Sequence, residues 1–341
     1  MPTLRRDPIT GRWVINPDSP KEPPSSLIEM ETLLPKGTCP FCEGNEKYTP
    51  AEIFAIRSKD SQRDGPGWEV RVVPNISPAL KVELDLDRRA ERMYDLMNAM
   101  GAHEIIIETP KHIANLADLE VEQIKKVVEA YQERIVDLKK DKRMRSIFIF
   151  KDYVERAGSS SIMHAHSQLI AVSVTPKNLK EELKGAKEYY DYKERCVFCD
   201  MIKEELFIEK RVISSNPDFL AFAPFASRFS YEVWILPKKH AVDFENMSQG
   251  QSENFASLLK EILLRLKFLL NDPPYNYVLH NGPNRTRRRG EAWKTLNEDY
   301  HWHLEIMPRY RRTHEFEWGT GLYVNALTPE EAAANLRKVQ I

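Results

Sequence analysis

The sequence predicts an α+β fold in which an antiparallel sheet with helices packed on it is built twice. Three observations carry that prediction. All four cysteines fall in two C-x-x-C pairs, Cys39-Pro40-Phe41-Cys42 and Cys196-Val197-Phe198-Cys199. Each pair is followed by the same succession: a β-rich run closed by proline and then histidine, a helical pattern, an apolar run, and an H-x-H doublet. The doublets are His164-Ala165-His166 and His301-Trp302-His303. One order of residue types met twice marks an internal repeat, which is sought early because missing it miscalls the fold.

The elements follow in chain order. Residues 70–73 and 219–222 read as the first strand of each half. Residues 104–108 and 232–236 are short β-rich runs stopped by Pro110 and Pro237. Residues 121–142 form an amphipathic helical pattern, in which Lys125, Lys126, Glu129 and Glu133 interleave with Val127, Val128, Tyr131 and Ile135. Its counterpart runs over 251–270. Strands at 147–150 and 275–279 precede the doublets. Each half thus reads strand, strand, helix, strand, strand, which suits an antiparallel sheet with a helix on one face. The halves are expected at 1–175 and 176–341. Their join lies near 175–195, a charged segment with no strong apolar pattern, and their edges can meet in one longer sheet.

With 341 residues, 42% of them hydrophobic, the chain is ample for a sizeable core. The net charge of −1 provides no global field toward nucleic acid or membrane. The polar N-terminus does not read as a signal peptide, and no run approaches the roughly 18 apolar residues of a spanning helix. The expectation is a soluble cytoplasmic protein with no nucleic-acid or membrane partner. Paired cysteines in that setting favour metal or redox chemistry over structural disulfides.

Zinc commonly takes two thiolates from C-x-x-C and two imidazoles. The candidate sets are Cys39, Cys42, His112, His164 and Cys196, Cys199, His240, His301. A thioredoxin-like redox pair needs a strand before and a helix after, which the flanks of the first pair fit poorly. Two sets in one order favour metal, at two zinc ions per chain. On a strand, residues i and i+2 share a face. If His164 binds metal, His166 is held beside it with a free ring nitrogen, and neutral imidazole is a good nucleophile near pH 7. Gln168 follows on the same face, where its amide can hydrogen-bond a phosphoryl oxygen. The plainer reading of a lone H-x-H is a satisfied polar strand pair.

These residues resemble the galactose-1-phosphate uridylyltransferases, the transferase branch of the histidine-triad superfamily. His164-Ala165-His166-Ser167-Gln168 is similar to their H-P-H-[GS]-Q signature, with alanine for proline. The stretch from Arg6 to Val14 looks like their N-terminal strand, that from Val72 to Leu80 like their nucleotide-contact segment, and that from Leu327 to Ala333 fits as well. The resemblance implies a histidine-triad fold in each half and a homodimer with active sites near the interface. It implies that His166 attacks the α-phosphorus of a nucleotide sugar to form a nucleotidyl-histidine. It also implies that Gln168 steadies the phosphoryl group, Asn75 contacts the nucleoside and Ser161 the phosphates. The implied reaction is ping-pong uridylyl transfer between UDP-glucose and galactose 1-phosphate. The second cysteine set resembles that of a plant ADP-glucose phosphorylase, an alternative that takes phosphate as acceptor. In the enterobacterial enzymes the second metal uses histidines and a glutamate, which makes His280 a rival for His240. A non-catalytic zinc-stabilised nucleotide scaffold is the alternative of another class.

Three departures bear on sugar and base. The family's two arginines after the first strand are missing at Ser19 and Glu22, Ile76 stands where an aspartate follows the asparagine, and Glu317 to Tyr323 resembles the phosphorylase-like branch. Arg285, Arg287, Arg288 and Arg289 form a cationic cluster between the last strand and the second doublet. The plainer reading is a solvated loop; the functional one is a substitute phosphate clamp.

Overall fold

The computed structural model describes residues 2–6, 13–16, 38–153, 162–285, 293–309 and 315–341. The strands are β1 Thr3–Arg6, β2 Trp13–Asn16, β3 Phe54–Arg57, β4 Trp68–Pro74, β5 Arg89–Glu91, β6 Tyr94–Asn98, β7 Gly101–Ile107, β8 Ser146–Tyr153, β9 His166–Val172, β10 Val212–Ser215, β11 Phe219–Phe222, β12 Val233–Pro237, β13 Tyr275–His280 and β14 His303–Pro308. The helices are α1 Val121–Lys139, α2 Lys177–Lys193, α3 Val197–Ile208, α4 Gln249–Leu270, α5 Leu296–Asp299, α6 Glu315–Thr320 and α7 Pro329–Arg337. Among the described residues no helix is long and apolar enough to cross a membrane.

A ten-stranded sheet runs β10-β11-β12-β14-β13-β8-β9-β7-β4-β3. Its centre is the antiparallel pair β8 and β13, in register from Tyr275 with Tyr153 to Leu279 with Ile149. Outward from that centre, each side repeats the same order of corresponding strands, so the N-terminal succession β8-β9-β7-β4-β3 is matched by β13-β14-β12-β11-β10. Alternation along the strands sorts side chains between two faces. Leu169 and Ala171 of β9, Ile147 and Ile149 of β8, and Leu304 and Ile306 of β14 enter the main core. There they meet α1 through Ile124, Val127, Val128 and Ile135, and α4 through Phe255, Leu259, Ile262 and Leu266. The opposite face carries His166, Gln168, His303 and Glu305, and smaller apolar clusters flank it.

The structure differs from the sequence reading in three places. Within the ten-stranded sheet each half has three strands before its long helix, not two. The additional ones, β3 and β10, are four-residue edge strands, and β3 is half-buried throughout, so no period-2 contrast announces it. The single opening strand expected over 6–14 is two strands, β1 and β2, paired antiparallel with Thr3 opposite Asn16. They join β6 and β5 in a four-stranded sheet. The segment near 175–195 is mostly α2, whose buried Leu179, Leu183 and Ala186 make a narrow stripe in a charged helix. Gly101 is required where β7 begins, since a Cβ there would sit 2.2 Å from the Ala171 carbonyl oxygen.

Candidate active site and metal centres

His166 opens β9, and His164 stands just before the strand rather than on it. The two rings are therefore related by the chain's entry into the strand, not by simple alternation. His166 Nδ1 lies 2.7 Å from the His164 carbonyl oxygen. A carbonyl only accepts, so the ring proton is on Nδ1 and the Nε2 lone pair remains available. Burial pushes the His166 pKa down to about 4, and the Lys151 ammonium adds to the effect. The imidazole is neutral at physiological pH, the state of a nucleophile.

Lys151 reaches this point from the core face. Its Nζ donates to the His166 carbonyl oxygen at 2.7 Å and to Glu108 Oε2 at 2.6 Å. The Tyr131 hydroxyl, with one proton to give, lies 3.3 Å from Glu108 Oε1, 2.7 Å from Ser167 Oγ and 2.6 Å from the Tyr277 hydroxyl. This buried network lies behind His166 and had no motif in the sequence, because its members come from α1, β8, β9, β13 and the residue that follows β7.

Gln168 lies beyond His166 on the same face. Its Oε1 is 2.8 Å from His103 Nε2 and 3.4 Å from Asn75 Nδ2. Asn75 Oδ1 accepts from the Ser77 amide, and Asn75 N–H donates to the His103 carbonyl oxygen. The structure thus brings His166, Gln168 and Asn75 to one region and adds His103, which the sequence reading passed over because no doublet or spacing singles it out. Ser161, Arg287, Arg288 and Arg289 lie outside the described residues. Arg285 donates to Asp243 Oδ2 at 2.7 Å, a partner that accounts for its charge without a phosphate.

Both cysteine sets come together. In each, the candidate ligand atoms lie within 4.8 Å of one another. Cys39 Sγ to His164 Nδ1 is 3.5 Å, Cys42 Sγ to His112 Nδ1 3.4 Å, and Cys199 Sγ is 3.4 Å from His240 Nδ1 and 3.7 Å from His301 Nδ1. A tetrahedron with zinc–sulfur and zinc–nitrogen bonds near 2.3 and 2.0 Å has S···N edges of about 3.5 Å. The opposite ring nitrogens are held by carbonyl oxygens: His164 Nε2 by Thr109 at 2.7 Å, His240 Nε2 by Asn297 at 2.7 Å, and His301 Nε2 by Pro237 at 2.9 Å. Those contacts place the protons on Nε2 and turn each Nδ1 lone pair toward the cysteines, the arrangement metal ligation needs. Donor set and spacing fit a metal ion at both places. The four cysteines are free thiols. Cys196 is the N-cap of α3. With its hydrogen bond from Cys196 as the largest cause, the Cys199 thiol is pulled down to about 3.

His240, and not His280, completes the second cysteine set. His280 lies with Glu182 and His303 in a third group whose ligand atoms are also within 4.8 Å. There the side chains pair with one another, His280 Nδ1 standing 3.0 Å from Glu182 and Nε2 3.5 Å from Glu305.

Comparison with known proteins fits this geometry. Residues 69–176 match the family "Galactose-1-phosphate uridyl transferase, N-terminal domain" and residues 182–340 its C-terminal domain. The chain is 32% identical to an ADP-glucose phosphorylase of Arabidopsis thaliana over all of its own length and 93% of the relative's. It is 27% identical to a galactose-1-phosphate uridylyltransferase of Thermotoga maritima, covering 100% and 99%. The crystal structure of the Arabidopsis ADP-glucose phosphorylase with bound ADP-glucose superposes with a TM-score of 0.78, covering 100% of both chains.

Proposed function

The chain belongs to the galactose-1-phosphate uridyl transferase family, and on that premise we propose that it transfers a nucleoside monophosphate through a covalent adduct on His166. The observation that carries this reading is the His166 ring itself: neutral, with Nδ1–H on the His164 carbonyl and Nε2 left as a nucleophile. Nε2 attacks the α-phosphorus of a nucleoside diphosphate hexose. The bond from that phosphorus to the bridging oxygen breaks, and hexose 1-phosphate leaves with its electron pair. The ring gains positive charge, which the His164 carbonyl stabilises through Nδ1–H. An acceptor phosphate oxygen then attacks the same phosphorus and Nε2 leaves. Gln168 hydrogen-bonds the transferred phosphoryl group in both half reactions, and Asn75 and Ser161 contact the nucleotide.

Cys39, Cys42, His112 and His164 would hold one zinc ion, and Cys196, Cys199, His240 and His301 another. Bound there, zinc supplies a rigid cross-link between segments far apart in sequence. The first reading of the substrates is UDP-glucose with galactose 1-phosphate as acceptor, in a cytoplasmic homodimer. A second reading, ADP-glucose with inorganic phosphate as acceptor, is favoured by the identity to the Arabidopsis phosphorylase and by the cysteine-bearing second set. The test is intact-protein mass after mixing with UDP-glucose or ADP-glucose, then chasing with galactose 1-phosphate or phosphate. A uridylyl mass increment cleared by the sugar phosphate supports the first reading, and an adenylyl increment cleared by phosphate the second. No increment with any nucleotide sugar refutes both.

A further inference from the structure

Strand register places a third side chain behind the phosphoryl-binding amide. In the β7–β9 pair, Ile105 lies opposite Gln168 and His103 opposite Ile170. His103 is therefore the diagonal neighbour of Gln168 on the same face, within reach for long side chains. Its Nδ1 is 3.3 Å from the Ala79 backbone nitrogen, which can only donate. That contact assigns the ring proton to Nε2, the atom 2.8 Å from Gln168 Oε1. Asn75 Nδ2 lies 3.1 Å from the same His103 nitrogen and 3.4 Å from Gln168 Oε1; with the ring proton on Nε2 it can donate only to the oxygen, as a second donor.

A glutamine side chain has two nearly isosteric ends of opposite polarity, and its neighbours alone decide which end faces a ligand. With Oε1 held by two donors, Gln168 turns its NH2 away from them, toward the ligand. A phosphoryl oxygen, which only accepts, then meets a donor. The reversed amide would present Oε1 to it, a repulsive contact in place of a hydrogen bond. We propose that His103 is a positioning residue that fixes the amide orientation of Gln168, so that the site meets the transferring phosphoryl group with a donor already aimed. The proposal rests on the reading of His166 and Gln168 given above. Burial of His103 lowers its pKa and keeps the ring neutral at pH 7, so Nδ1 stays free to accept from Ala79.

Two measurements test it. Wild type, H103A, H103Q, Q168A and H103A/Q168A are mixed with UDP-glucose and with ADP-glucose, and the rate of nucleotidyl mass gain is followed by quenched flow. H103A should slow that gain at least about 30-fold with little change in half-saturation, less than the roughly 10²–10³-fold for outright loss of one preorganised donor. H103Q returns an N–H near the Nε2 position and should recover at least a third of the wild-type rate. The double variant should be no slower than Q168A, because a positioning residue acts only through the group it positions. Wild-type kinetics in H103A, or losses that multiply in the double variant, would overturn the proposal. The second measurement needs no turnover. In unliganded protein labelled with 15N-histidine, His103 should be the neutral Nε2–H tautomer at pH 7; an Nδ1–H or charged ring would overturn the proposal. A wild-type chain that forms no adduct would refute the proposed function, while the tautomer would still decide for or against His103.

Discussion

The two halves set the same H-x-H pair at the start of corresponding strands, β9 and β14, and then treat its second histidine in opposite ways. In both, the second ring donates through Nδ1 to the carbonyl of the first, at 2.7 Å for His166 and 3.2 Å for His303. In both, the first histidine turns Nδ1 to a cysteine pair. The surroundings then diverge. His166 meets Phe41 at 66° between ring planes. His303 is sandwiched between Trp234 at 4.9 Å and His280 at 4.6 Å, both stacked. Its Nε2 is buried with no hydrogen-bond partner. Two residues on, Gln168 faces neutral donors, whereas Glu305 is bound by Arg228 and lies beside His280. The diagonal position of His103 is taken by Glu232, which accepts from Arg228 and Trp234. One backbone frame and one anchor are kept twice; the stacking around the second ring and the charge of its neighbours differ, and the proposed chemistry needs only the first half.

The largest expected effect breaks or confirms that asymmetry. H166A should lower nucleotidyl transfer on the order of 10⁴-fold or more, because both half reactions pass through that nitrogen. H303A should keep activity within about threefold while losing about 2–4 kcal/mol of stability in urea, the cost of emptying a stacked, buried site. Equal kinetic loss at both positions would remove the distinction between the halves.

The cysteine sets sharpen the comparison next. C39S and C196S should each reduce bound zinc from two ions per chain toward one, read by elemental analysis, and each should lower Tm on the order of 10 °C. Only C39S should also slow adduct formation beyond what the stability loss explains, because its set anchors the carbonyl that holds His166. Equal catalytic loss from C196S would tie the second site to the chemistry.

The smallest effect is in pH dependence. For His280, burial opposes the charge, but Glu182 and then Glu305 overturn it and push the pKa up to about 10. A folded-state pKa above the unfolded value near 6.5 contributes stability that is complete below pH 6.5 and is lost as pH rises through 10. Tm should therefore fall by roughly 5 °C between pH 7 and 10, and H280Q should flatten that slope. His166 has the opposite sign: its pKa is lowered to about 4 by burial, so its contribution is present above pH 6.5 and lost as pH falls through 4. Differential scanning calorimetry across both windows checks both signs.

What was legible in the sequence is what short-range pattern carries. The amphipathic spacing of α1 and α4 and the apolar, β-rich runs of β4, β8, β11 and β13 follow from which side chains tolerate water. The C-x-x-C pairs and H-x-H doublets are visible because their members sit within two or three residues of one another. Those local pairs, met twice in order, pointed to both four-residue groups that the fold brings together and to the proposed nucleophile. The edge strands β3 and β10 were missed because a short strand with one unpaired edge needs no periodic contrast.

Tertiary structure decided the rest, because the deciding contacts join residues whose distance along the chain says nothing of their distance in space. Which of His240 and His280 faces Cys199 depends on how the loop after β12 folds against α3. The partnership of Lys151 with Glu108 depends on a charge buried between strands and a helix. His103 reads as an ordinary residue of a β-rich run until antiparallel register sets it diagonal to Gln168. A hydrogen bond is directional and short, so whether an imidazole donates, accepts or reacts is settled only where the folded chain brings its partner within about 3 Å.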